Sequence, residues 1–180
     1  MRKESFYARD PVRVARDLLG DFLVRDGLKG RIVETEAYRG EQDPASHASS
    51  GRTDRNDSMY GPPGTAYVYV CYGVHQMLNF VTGTEGEPSA VLIRAVEPLK
   101  GVEEMRDNRG VREEGELCSG PGKLCEAFDI SKKLDGQDLF SGPLHVEEGS
   151  EEEYRTSDRV GVDSDHEIRF YVPGNRHVSR

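Results

Sequence analysis

Six short runs of β-branched and aromatic residues constrain this chain more than any other feature: FLVR (22–25), GRIVETEAY (30–38), TAYVYVCYG (65–73), MLNFV (77–81), AVLIRAVEP (90–98) and EIRFYVPG (167–174). Such residues suit the pleated, half-buried surface of a sheet. Asp26-Gly27 joins the first two runs, a dipeptide that accepts the left-handed backbone of a two-residue hairpin. The runs do not alternate regularly with helical patterns. An antiparallel sheet with flanking helices, of α+β class, is therefore expected rather than a parallel α/β sheet.

Helices are sparse. Asp10 reads as an N-cap, with Pro11 at the first helical position and Val14, Leu18 and Leu19 at helical spacing up to Gly20. Pro98 is expected to open a second short helix carrying Leu99, Val102 and Met105. A third is expected after the turn SGPG (119–122), with Leu124 and Phe128 facing inward. Residues 39–65 are rich in Gly, Asp, Asn, Ser and Pro, too polar for a packed element. A loop of that length in a small domain is usually functional or mobile.

No repeat or low-complexity linker divides the 180 residues, so one domain spanning 1–180 is expected. No apolar run approaches the roughly 20 residues of a membrane span, and the first 20 residues hold no secretory apolar stretch. The three cysteines, Cys71, Cys118 and Cys125, form no CxxC and no even framework, which argues against a disulfide scaffold or structural zinc. A reducing cytoplasm is the expected location.

The net charge of −9 argues against a polycation that coats nucleic acid, though it leaves room for a local basic face. Residues 1–31 hold eight basic side chains against five acidic ones. Acid gathers in Glu113, Glu114 and Glu116 and in the run EEGSEEE (147–153), the pattern of a solvated face or loop. Arg outnumbers Lys 18 to 6, and with the abundant acids this suits a salt-adapted or a GC-rich source.

Candidate chemistry begins in VETEAY. In an extended strand Glu34, Glu36 and Tyr38 share one face. One reading is a polar strand face that meets water. The other is a carboxylate beside an aromatic platform, suited to activating water as a general base. A glycosidase pair is a further option, but neighbours two apart on a strand lie about 7 Å apart at the backbone, which does not settle the stereochemistry. Tyr67, Tyr69 and Tyr72 crowd one strand, a density more often found in a core, but with Tyr38 and His47 as further rings the set fits a slot for a flat ligand. Strand parity sends Tyr69 and Tyr72 to opposite faces, so one can line a pocket while the other stands at a hairpin tip before Gly73.

Asn79 and Arg94 are polar residues in the middle of apolar strands, either partnered edge residues or discriminating groups in a pocket. SGPGK, ending in Lys123, approaches a helix N-terminus that favours phosphate but lacks the Walker A spacing, and alone it is more often a plain turn and cap. The five histidines show no metal-binding spacing, and no Ser or Cys sits in a nucleophile elbow.

GRIVETEAY (30–38), DPASHASSGRTDRN (43–56), GPPGTAYVYVCYGVHQMLN (61–79), VLIRAVEPLKG (91–101) and ELCSGPGKLCEAF (116–128) together resemble the alkyladenine, or 3-methyladenine, DNA glycosylase family. The likeness runs in order from ARDLLG (15–20) to RFYVPGN (169–175). It implies a compact α+β domain with a curved antiparallel sheet and a protruding hairpin, acting as a monomer on damaged double-stranded DNA. It implies no metal or redox cofactor and no membrane.

Residue by residue, the resemblance makes Glu36 the general base that activates water against C1′ of a flipped nucleotide. It makes Tyr38 one wall of the base sandwich, and His47 and Tyr69 the other. Tyr72 becomes the wedge that fills the gap left by the flipped base. Asn79 becomes the residue that disfavours guanine through its exocyclic amine, and Arg94 a polar contact near the catalytic acid. Arg55, Met59 and Lys123 become backbone or groove contacts.

No Lys falls in the pocket motifs as a Schiff-base nucleophile, so a monofunctional enzyme that leaves an abasic site is expected. The N-terminal basic residues, Arg52, Arg55 and Lys123 are expected to face the duplex, with 147–153 turned away. Two other readings of the same residues remain open. One is a hydrolase of free nucleosides or glycans through Glu34 and Glu36, which needs no Tyr72. The other is a non-enzymatic aromatic platform for nucleic acid.

Overall fold

The computed structural model describes residues 1–162 and 166–179. A single helical turn, α1 (Glu4–Tyr7), precedes α2 (Pro11–Asp17). The α2 start follows local chemistry: the Asp10 carboxylate accepts the Val12 and Arg13 N–H groups at 3.0 and 3.2 Å. β1 (Phe22–Arg25) then turns into β2 (Leu28–Tyr38) through Asp26 and Gly27, at φ 47° and 90°. Both values lie in the left-handed region that this turn requires.

The other long strands are β3 (Ala66–Cys71), β4 (His75–Thr82) and β5 (Ser89–Lys100), with β6 (Leu144–Glu147) short. They form a curled antiparallel sheet in the order β3-β4-β5-β2-β1-β6. A hairpin of β7 (Arg155–Ser157) and β8 (Arg169–Tyr171) attaches to β2. β2 thus has β5 on one side throughout, and on the other exchanges β1 for β8 at Glu34–Glu36. Its second half lies between strands, so its backbone groups are paired on both sides.

Pro98 does not open a helix. It stays in β5 opposite Gly30, beside a bulge that leaves Leu99 unpaired, where the missing N–H costs the ladder nothing. The helix α3 (Val102–Arg109) starts after Gly101 instead. Gly30 is needed because a Cβ there would stand 2.3 Å from Val96 Cγ1 and 2.8 Å from the Glu97 carbonyl oxygen. The helix after SGPG is α4 (Pro121–Ala127), which lays Leu124 against β4 and β5, with Phe128 buried just past its end.

The main core joins Leu18, Leu23, Ile32, Phe80, Leu124 and Phe128 between the sheet and these helices. A second cluster, Ala48, Met59, Tyr60, Tyr67, Val81 and Ala90, lies beneath residues 39–65. That stretch is packed, contrary to its composition. It contains two short 3₁₀ turns, Gly40–Gln42 and Asp57–Tyr60, and its polar side chains turn inward. Asn56 Nδ2 donates to the His47 and Gly51 carbonyls at 2.9 and 3.0 Å, and Asn56 Oδ1 accepts the Thr53 N–H at 2.7 Å. Side chains of this type substitute for secondary structure by binding nearby backbone.

The expected separation of basic N-terminus from acidic run is not found. β6 pairs with β1, setting Glu147 opposite Phe22 and bringing 147–153 beside the N-terminal segment. Arg2 binds Asp21 and Glu148, Lys29 binds Glu147, and Arg31 binds Glu97 and Glu152. No helix among the described residues is long and apolar enough to cross a membrane.

Candidate active site

The centre of β2 carries two carboxylates with no exposure at all, Glu34 and Glu36. A strand face that meets water is therefore excluded. Two successive register shifts flank Glu34, leaving Val33 on β2 and Arg94 on β5 without opposite numbers. Bulges re-aim side chains, and this one turns Arg94 onto both acids. Arg94 Nε donates to Glu34 Oε1 at 2.9 Å, and its Nη1 lies 3.4 Å from Glu36 Oε1.

The two acids differ in their company. Glu34 Oε1 also accepts Arg169 Nε and Ser179 Oγ, both at 2.7 Å, while Oε2 accepts the Ser179 N–H at 2.6 Å. Glu36 accepts the Val160 N–H on Oε1 at 2.7 Å and the Tyr38 hydroxyl on Oε2 at 3.0 Å. Burial pushes the Glu36 carboxyl above its ordinary value, against the opposing pull of Arg94, the Val160 N–H and the Tyr38 hydroxyl. Glu34 has the donor set of a structural counter-ion. Glu36 has the environment of a base.

Beside Glu36 opens a cleft of about 320 Å³, near the lower limit of small-ligand pockets. Tyr38, His47 and Tyr69 all line it. The His47 and Tyr69 rings meet edge to face at 4.3 Å, and His47 Nδ1 lies 3.1 Å from the Tyr67 hydroxyl. Burial, assisted by the charge of Arg55, lowers the His47 pKa, so its ring is neutral at pH 7. Burial likewise pushes the Tyr69 hydroxyl up to about 12. Asn79, 3% exposed on β4, also lines the cleft, and its Nδ2 is tied to the Tyr67 and Met77 carbonyls at 3.2 and 3.3 Å. Those bonds fix the amide in place.

Tyr72 leaves β3 before its strand parity applies. It adopts φ 50°, left-handed for a residue with a bulky side chain, at the turn between β3 and β4. Its ring lies at the cleft and is 92% exposed, and Val74 two residues on is 72% exposed. Large apolar groups held in water at a hairpin tip mark a contact surface.

The remaining expected contacts divide. Arg55 is exposed near the cleft, its Nη2 on the Val70 carbonyl at 2.9 Å and its guanidinium 5.8 Å from the Tyr69 ring centroid. Met59, expected as a groove contact, is 3% exposed in the cluster beneath the loop and forms cleft wall, not outer surface. Lys123 binds Glu116 at 2.5 Å in a neighbouring hollow that shares Arg94 and Pro121 with the cleft. Arg52 pairs with Asp57 at 2.6 Å.

Sequence reasoning missed Asp43, Arg159, Val160, Arg169 and Ser179. Arg159 binds Asp43 through both guanidinium ends, at 2.6 and 2.9 Å, and lies 4.7 Å from the Tyr38 ring centroid. The segment that carries it follows Glu36 by more than 120 residues, and no local pattern links the two. Only Arg169, a charged residue inside the strand-like RFY, offered a signal of a buried partner. Among the described residues no group of three His, Cys, Asp or Glu side chains is placed to hold a metal ion.

Comparison with known proteins adds an independent line. Residues 5–176 match the methylpurine-DNA glycosylase family. A protein of Carboxydothermus hydrogenoformans is 47% identical over 98% of this chain and 97% of its own length. One of Methanoculleus marisnigri is 48% identical, with the same coverage, and one of Methanocella arvoryzae is 52% identical over 88% of this chain and 83% of its own. All three carry the name "Putative 3-methyladenine DNA glycosylase".

Proposed function

The chain belongs to the methylpurine-DNA glycosylase family, and from that premise we propose that it is a base-excision repair enzyme cleaving alkylated or deaminated purines from duplex DNA. The observation that carries the reading is a buried carboxylate, Glu36, hydrogen-bonded to a wall of an aromatic cleft whose mouth bears an exposed tyrosine on a left-handed turn.

A base stacked in a duplex is out of reach, so the nucleotide must be extruded at a cost of a few kcal/mol, least for damaged pairs. Tyr72 enters the vacated stack and offsets part of that loss. The extruded base lies between Tyr38 on one side and His47 and Tyr69 on the other. Asn79, held by two backbone carbonyls, cannot swing aside for the exocyclic amine of guanine. Glu36 as carboxylate takes a proton from water while the water oxygen bonds to C1′. The C1′–N bond breaks and its electron pair leaves with the base: an alkylated, cationic purine departs neutral, and hypoxanthine takes a proton from solvent as it departs. The carboxylate also stabilises the positive charge that develops on the sugar. Arg94 holds Glu36 from β5 and stands between it and Glu34.

No lysine is among the described residues that line the cleft, which supports a monofunctional enzyme leaving an intact strand with an abasic site. Residues 1–180 act as one domain, a reading supported by a core that runs continuously from Tyr7 to Phe170. The enzyme works as a monomer in the cytoplasm, on damaged double-stranded DNA.

The test uses a duplex with one hypoxanthine or one alkylated purine. Free base should be released, with strand breakage only after heat or alkali. A nick without either treatment contradicts the monofunctional chemistry. Tight binding without base release from any of these lesions points to an aromatic binding platform instead.

A further inference from the structure

Arg159 is an expensive residue where it stands. Its side chain is wholly buried, as is that of Asp43 to within a few per cent, and a guanidinium taken out of water needs strong reason and full pairing. Three of its contacts converge on the site. Besides gripping Asp43, Nη1 donates to the Ala37 carbonyl at 3.1 Å, the residue between Glu36 and Tyr38. The guanidinium also lies against the Tyr38 ring, and the next residue, Val160, gives its N–H to Glu36.

Asp43 works toward the other wall. Its carboxylate accepts the Arg39 and Ala45 N–H groups at 3.2 and 3.1 Å, and its carbonyl accepts the Ser46 N–H at 2.9 Å. This forms the turn that leads into His47. One ion pair therefore ties together the strand of Glu36, the ring of Tyr38, the turn before His47 and the backbone donor to Glu36.

We propose that Asp43 and Arg159 are positioning residues for base excision: together they hold both walls of the cleft in register and hold the Val160 N–H on Glu36. This rests on the glycosylase reading. The pair suits the task because it stays ionised while Glu36 titrates. Burial opposes the charge on both, yet their mutual bonding and attraction keep the Asp43 carboxyl below its ordinary value and the Arg159 guanidinium above its own.

The groups that set the Glu36 charge can be named. Tyr38 and Glu34 share its strand, Arg94 reaches it from β5 and Tyr69 from β3. Arg169 lies opposite on β8, and Arg159 with the Val160 N–H reaches it from the segment after β7. Loss of the Val160 donor removes a bond to the charged form, which moves the carboxyl further up.

The experiment compares full-length wild type with Arg159→Lys, which keeps the charge without the fork, and Asp43→Asn, which keeps the shape and an acceptor. Single-turnover base excision is followed from pH 4.5 to 8 at saturating enzyme, alongside affinity for a duplex with an abasic-site analogue. The expected result is a fall of about tenfold or more in the excision rate, since small displacements at a reacting centre carry penalties of that order. The acid limb of the profile should shift upward while duplex affinity stays within about threefold. A merely structural pair would lower the melting temperature and leave the limb in place.

Rates within about twofold of wild type and an unmoved limb in folded variants overturn the proposal. Should both variants fail to fold, Val160→Pro removes the donor to Glu36 at a half-exposed position, and an unmoved limb there overturns it equally. Absence of excision by wild type itself would instead defeat the glycosylase reading.

Discussion

Two glutamates two residues apart show how much the immediate neighbours decide. Glu34 pairs with the buried Arg94 and the partly buried Arg169, and its loss removes the counter-ion they share. Removing one partner of a buried charge set costs about 3–5 kcal/mol. Glu34→Ala should therefore lose stability of that order in urea unfolding. Glu36→Gln should hold or gain stability at pH 7. The sign follows from its raised carboxyl: the raised folded-state value favours the protonated form, so the stability it contributes is present below the ordinary carboxylate range and is lost as pH rises through the raised value. Any gain from Glu36→Gln should accordingly vanish as pH falls below that range.

With Glu36 as the proposed base, activity should have the opposite dependence, because a base must be ionised. Excision should fail on acidification at a pH above the ordinary glutamate value of about 4.3. Tyr38→Phe, which removes a donor to the carboxylate, should move that limb higher still; a limb at the ordinary value in wild type would mean that burial does not govern Glu36. The pairing of acid and ring was legible in VETEAY. The bulge that aims Arg94, and the donors that arrive from 160, 169 and 179, were not, because they depend on register and on contacts across most of the chain.

At the scale of elements, the turn between β3 and β4 is the clearest separation of function from stability. Tyr72 contributes almost nothing to the core, since its ring stands in water. Tyr72→Ala should leave the melting temperature within about 1 °C, as surface changes alter stability by less than about 0.5 kcal/mol. It should slow excision from a duplex by about tenfold or more while sparing a lesion in single-stranded DNA, where nothing must be unstacked. Equal losses on both substrates would show that the residue is not a wedge.

Elements with a local chemical signature were readable: the Asp10 cap, the Asp26-Gly27 turn, the helix after SGPG. Pro98 misled because its local preference was overridden by a bulge on β5. Residues 39–65 misled because their polar side chains bind backbone inside the loop, a use that composition does not separate from solvation.

Over the whole molecule, acid outweighs base and much of the base is engaged. Arg2, Lys29 and Arg31 are occupied by the acidic run and its neighbours, and Lys123 by Glu116. Of the three cations expected at the duplex, Arg55 is exposed beside the cleft, while Arg52 and Lys123 must first be released from Asp57 and Glu116. Neutralising up to three phosphates gives a slope of log affinity against log salt of about −3 or shallower. Anisotropy titrations should show that weak dependence, and a slope near −6 would mean that a larger basic face exists than these residues supply. The charge count argued against a polycation and left room for a local basic face, while the placement of the acidic run waited on the pairing of β6 with β1.

Glu36 is proposed to perform the chemistry in a cleft that holds an extruded purine. The most direct test sets wild type against Glu36→Gln on a duplex carrying one hypoxanthine or one alkylated purine, reading both base release and duplex affinity. Release by wild type is expected, with a loss of at least about a hundredfold in the variant and affinity unchanged within a few-fold. Excision by Glu36→Gln at the wild-type rate would contradict that role.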